Sequence, residues 1–105
     1  MNSNKPLSES WYEVAQTWVD AEAAASALED TKSSVFSQLC LRSGETAVAR
    51  AEMSVRASEE WKAHLEKISH ARTAANRAKI AMEFQRMRFM EWNNSEANHR
   101  MGAKL

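Results

Sequence analysis

Glu96 and His99 stand in Glu-x-x-His spacing, which on a helix puts a carboxylate and an imidazole on one face. Di-iron carboxylate bundles use that pairing, but they need two copies of it and two further glutamates. The chain holds one copy, so no metal centre is expected. Glu66 and His70, four residues apart, read as a surface pair. Cys40 follows Leu39 in an apolar patch with no adjoining lysine or histidine to hold a thiolate, and reads as a small buried hydrophobe. The spacing supports no Ser-His-Asp arrangement, glycine-rich phosphate loop or Cys/His cluster, so neither catalysis nor a cofactor is expected.

The basic residues carry more. Between Arg72 and Arg88 five cations (Arg72, Arg77, Lys79, Arg86, Arg88) accompany one acid, Glu83. Arg72, Lys79 and Arg86 recur every seven residues beside Ala75 and Met82, along one edge of a helix. Two roles fit such a stripe. One is a solvated flank whose methylene stems cover an apolar seam. The other is contact with nucleic-acid phosphates, for which Phe84, Phe89 and Trp92 lie close enough to stack on bases. Core or dimer packing is the stronger reading of those aromatics.

The elements that position these residues follow from punctuation. There is no glycine or proline from Glu45 to Met101, and only Pro6, Gly44 and Gly102 in all. Both residue types interrupt regular structure, so long helices with few turns are expected. Residues 1–8 read as a disordered arm, 9–101 as one helical domain and 102–105 as a tail. The first helix is expected from Ser8–Ser10, with Ser10 and Glu13 in capping-box spacing, to Ser43-Gly44. Its apolar residues step by three and four through Trp11, Val14, Trp18, Ala21, Ala25, Leu28, Val35 and Leu39, with one gap at Lys32. A short segment from Glu45 to about Ala57 follows, with Glu45 in its first turn. Ser58 then caps a third helix running to Trp92, with its seam at Trp61, Leu65, Ile68, Ala71, Ala75, Ala78, Met82, Phe89 and Trp92. Asn93-Asn94-Ser95 is expected to end that helix or to cap a short last one, and Glu96–Arg100 to fold on contact with a partner. The fold class is therefore all-α: an elongated antiparallel helical hairpin of two long helices and a short intervening one, coiled-coil-like. Ile80, Phe84 and Met87 form a second apolar stripe near the end of the third helix. A helix apolar on two sides buries both, so a homo-oligomer is expected.

Composition bounds the setting. Fourteen basic and fourteen acidic side chains cancel overall. Residues 1–44 carry three basic and six acidic, and residues 45–105 eleven and eight. A lone cysteine fits a reducing compartment, and the polar Met-Asn-Ser-Asn-Lys-Pro start does not read as a signal peptide. No stretch approaches the length of a membrane span, so no membrane partner and a cytoplasmic location are expected.

The chain resembles a family of small helical early-region proteins of tailed phages and prophages. The resemblance rests on three stretches. One is Lys32-Ser33-Ser34-Val35-Phe36-Ser37-Gln38-Leu39 ahead of Gly44. The next, Gly44-Glu45-Thr46-Ala47-Val48-Ala49-Arg50-Ala51-Glu52, is similar to the family's Gly-x-x-Ala-x-x-Arg-Ala run. The last, Phe89 to Arg100, is similar to an ending of Trp, a basic residue, serine and Ala-Asn-Arg-Arg. The chain departs there, with Asn93 in place of arginine and His99 at the first of the final basic pair. The resemblance covers most of residues 15–101. It implies a role beside phage DNA recombination or replication, and singles out Arg50, Trp92, Asn98 and Arg100.

Together these readings give a non-enzymatic phage accessory protein in the host cytoplasm. It would act by contact with a recombination or replication protein and by weak binding of single- or double-stranded DNA. The binding candidates are Arg72, Lys79, Arg86, Arg88, Trp92, Asn98 and Arg100. Two rivals remain open. An inhibitor of a host enzyme or defence system, anti-CRISPR-like, would use Glu13, Asp20, Glu22, Glu29 and Asp30 to mimic a DNA backbone. A virion structural or scaffolding component would assemble further.

Overall fold

The computed structural model describes residues 5–104, with side-chain surroundings through Gly102. Of the expected N-terminal arm, residues 1–4 lie outside the described residues. Four helices follow in order: α1 (Leu7–Asp30), α2 (Lys32–Arg42), α3 (Val48–Arg56) and α4 (Glu59–Lys104). Among the described residues there is no strand. The molecule is elongated, 82 × 25 × 16 Å.

Helices α1 and α4 run antiparallel and make the main contact. Trp11 stacks on Phe89 near one end, with ring centroids 6.0 Å apart and planes 20° from parallel. Thr31 meets His64 near the other end, Oγ1 to Nε2 at 3.3 Å. Two heptads along α1 from Trp11 is Ala25, and two heptads back along α4 from Phe89 is Ala75; both are fully buried. The expected meeting of alanines at mid-hairpin is therefore present. With no side chain beyond Cβ on either face, the backbones approach closely there, and the high helix propensity of alanine keeps both helices regular. The expected seam residues of both helices are buried or half-buried except Trp92, which is 51 % exposed.

A smaller core closes the turn end. Leu39, Val55 and Trp61 are buried there, with Val35, Phe36, Cys40 and Leu65 packed against them. Phe36 meets Trp61 edge-on at 5.0 Å, and Arg56 lies 5.3 Å over the Phe36 ring. Cys40 is half-buried in this cluster, as a small hydrophobe would be.

Several boundaries differ from the sequence expectation. The first long helix is interrupted at Thr31, whose hydroxyl donates to the Leu28 carbonyl at 2.6 Å and whose N–H reaches the same oxygen at 3.1 Å. This side-chain back-bonding tightens the turn and divides α1 from α2. The Ser10–Glu13 capping box does not form. Helix α1 starts at Leu7, Ser10 N–H already donates to the Pro6 carbonyl at 3.0 Å, and Lys5 takes the Glu13 carboxylate at 2.5 Å. Glu45 is not in a first helical turn, since α3 starts only at Val48 behind an extended Ala47. The turn itself is where glycine places it: Gly44 has φ +79°, the left-handed region that a Cβ disfavours. Ser58 caps α4 as expected, its Oγ accepting from Trp61 N–H at 3.2 Å and donating to the Val55 carbonyl at 2.6 Å.

The largest correction concerns α4. Asn93-Asn94-Ser95 neither ends it nor starts a new helix, and α4 continues for 46 residues to Lys104. Asparagine and serine are weak helix formers, not breakers, and Gly102 costs only about 1 kcal/mol relative to alanine. The stretch Glu96–Arg100 is thus already helical.

Candidate interaction surface

Arg72 of the basic stripe faces inward, onto two glutamates of α1. Its Nε and Nη2 donate to the two carboxylate oxygens of Glu29 at 2.9 and 2.6 Å, and its Nη1 donates to Glu22 at 2.6 Å. One guanidinium thus clamps two glutamates one heptad apart on α1, the planar fork matching the carboxylate. The Glu29 bond, with Glu22 behind it, raises the Arg72 pKa; in return Arg72 holds the Glu29 carboxyl below its usual range. Arg72 therefore belongs to the α1–α4 joint and not to an outward phosphate-binding face. Sequence spacing located it on the seam edge; its partners lie 43 and 50 residues away and leave no local signal.

The other candidates point outward. Lys79 and Arg86 are exposed on the same edge as Arg72. Arg88 is exposed on another side of α4, its guanidinium 6.0 Å from the centroid of the exposed Phe84 ring. Trp92 forms, with Phe89 and Lys5 to Ser8, a cleft of about 300 Å³ where the start of α1 meets α4. Asn98 and Arg100 are exposed farther along α4, beyond the reach of α1. Arg50 is exposed on α3, at the opposite end of the molecule from Trp92. Lys79, Arg86 and Arg88 thus lie within ten residues in the middle of α4, and Arg50 stands apart.

The second apolar stripe is uncovered. Ile80 is 67 %, Phe84 57 % and Met87 58 % exposed. At 100° per residue these three project opposite Ala75, Met82 and Phe89, the side packed on α1. Helix α4 therefore presents an apolar outer face over the two turns from Ile80 to Met87, the stretch that also carries the exposed cations.

Other features are less suited to chemistry. Glu66 and His70 are both exposed and do not bond to each other. Among the described residues no group of three His, Cys, Asp or Glu side chains could hold a metal ion. A cleft of about 470 Å³ between α2 and α3, lined by Phe36, Cys40, Leu41, Val48 and Ala51 among others, is open and largely apolar. Sequence periodicity missed it because Leu41 and Val48 belong to no seam. Three of the five acids that backbone mimicry would use are already paired inside the chain: Glu13 with Lys5, and Glu22 and Glu29 with Arg72. No described helix is long and apolar enough to cross a membrane. Among the described residues two buried polar atoms lack a hydrogen bond, Trp11 Nε1 and Gln85 Oε1, a donor and an acceptor near the same end of the hairpin. No family model, curated protein or solved structure matches the chain.

Proposed function

We propose that the protein is a non-enzymatic accessory of DNA recombination or replication, of the tailed-phage kind its sequence resembles. It acts in the host cytoplasm by protein contact through α4 and by weak DNA binding. The observation that carries this reading is the middle of α4, where exposed Ile80, Phe84 and Met87 stand beside Arg88, with Lys79 and Arg86 exposed along the seam edge. Apolar stripes rimmed by charge mark contact surfaces. Arg88, exposed at the rim of the stripe, joins Lys79 and Arg86 in offering cations to phosphates. Arg72, held by Glu22 and Glu29, supports this face from behind by fixing α4 on α1.

Fluorescence anisotropy with labelled single- and double-stranded DNA at two salt concentrations tests the DNA-side role. Binding is expected at low salt and falls steeply as salt rises. Replacing Arg86 and Arg88 together with alanine lowers the magnitude of the log–log salt slope by about 1.5, at ~0.7–0.9 per phosphate contact. No binding at low salt overturns the DNA-side role.

A further inference from the structure

We propose that the outer face of α4 seats a second copy of the same helix, packed antiparallel about a two-fold axis at Phe84. The inference deepens the reading of α4 as a contact helix by naming its partner. Arg77, Ile80, Phe84, Met87 and Glu91 succeed one another at steps of three and four residues, so they share one face. That face has a chemical order that is self-complementary only when reversed. Phe84 is central, one apolar residue flanks it on each side, a cation stands at one end and an acid at the other. Laid head to tail on a second copy, Phe84 meets the partner's Phe84, and Ile80 meets the partner's Met87. Arg77 then meets the partner's Glu91, and symmetry makes that ion pair twice. A parallel pair would set arginine against arginine and glutamate against glutamate, which is repulsive at both ends.

The far end of α4 supplies a second, independent argument. In the register set by Trp11 and Phe89, the first residue of α1, Leu7, comes level with Asn93. Beyond it α4 continues as a single helix to Lys104, exposed through Gly102. Most helical stability in proteins comes from tertiary packing, and no side chain of this projection through Gly102 is covered in one chain. The antiparallel pair supplies that packing: Ser95 and Asn98 come level with the partner's Thr73 and the partner's His70, polar against polar. One register thus buries the apolar stripe, pairs both charges and shelters the projection.

The test is sedimentation equilibrium without DNA over a micromolar concentration series, with helicity checked by circular dichroism. The wild-type chain is expected to reach the mass of two copies. Arg77→Glu and Glu91→Arg each weaken the dimer roughly tenfold, and the double swap restores it to within about threefold. In a Cys40→Ser background, Thr73→Cys and Ser95→Cys, level in this register, cross-link when mixed and not when oxidised separately. A monomer throughout, a dimer indifferent to both single swaps, or cross-linking within either cysteine variant alone overturns the proposal. Because DNA is absent, a dimer without DNA affinity overturns only the DNA-side function, and a DNA-binding monomer overturns only the dimer.

Discussion

Arg72 joins the two long helices through one guanidinium and three hydrogen bonds to Glu22 and Glu29. Its pH behaviour follows from the direction of the Glu29 shift. Glu29 has a lowered pKa in the folded chain, so its contribution to stability is fully present above the unfolded glutamate value of about 4.3 and is lost as pH falls through the folded value. Replacing Arg72 with methionine, which keeps the stem and removes the charge, is expected to lower the thermal midpoint at neutral pH and low salt. The gap from wild type narrows in strong acid, where Glu29 is protonated, and in molar salt, which screens a half-exposed pair. Melting curves followed by circular dichroism check this, with exposed Lys79→Met as the control expected to show no such gap. A deficit that persists unchanged in acid would show that Arg72 acts by packing alone. The role of Ser58 was legible in the sequence, because a cap bonds to N–H groups within its own turn. The role of Arg72 was not, because its partners are set by the fold.

At the scale of elements, the α1–α4 contact is tightest where the alanines meet. Ala25 and Ala75 have no exposed surface, so neither site has room for a larger side chain. Ala75→Leu is expected to cost about 1–3 kcal/mol through overpacking. The exposed Ala74→Leu on the same turn should cost almost nothing. Urea unfolding of the two variants decides the point, and equal midpoints would place the close approach elsewhere. Element boundaries were less legible than element faces. The seam residues follow from period alone, but the break at Thr31 depends on one hydroxyl choosing the Leu28 carbonyl over solvent. The continuation through Asn93–Ser95 depends on weak propensities that do not stop a helix already propagating.

Across the whole molecule, order should fall from the middle of the hairpin to its projecting end. Amides near Ala75 lie between two buried helix faces and exchange slowest. Those of residues 94–102, with every side chain exposed, exchange much faster in a dilute sample. Hydrogen exchange at two protein concentrations reads this directly. The projecting amides become protected as concentration rises and the antiparallel pair forms, whereas the Ala75 region changes little. Fast exchange at both concentrations would leave the projection uncovered. The sequence by itself determined the all-α class, the faces of both long helices, the glycine turn at Gly44 and the cap at Ser58. Each of these is a local property, set by a period of 3.6 residues or by bonds within one turn. The tertiary structure alone decided the register of α1 against α4, the inward capture of Arg72, the cluster around Trp61 and the exposure of the outer face of α4. Those depend on volumes and charges that meet across dozens of residues of chain, and no spacing within a single helix encodes which of its faces will find a partner.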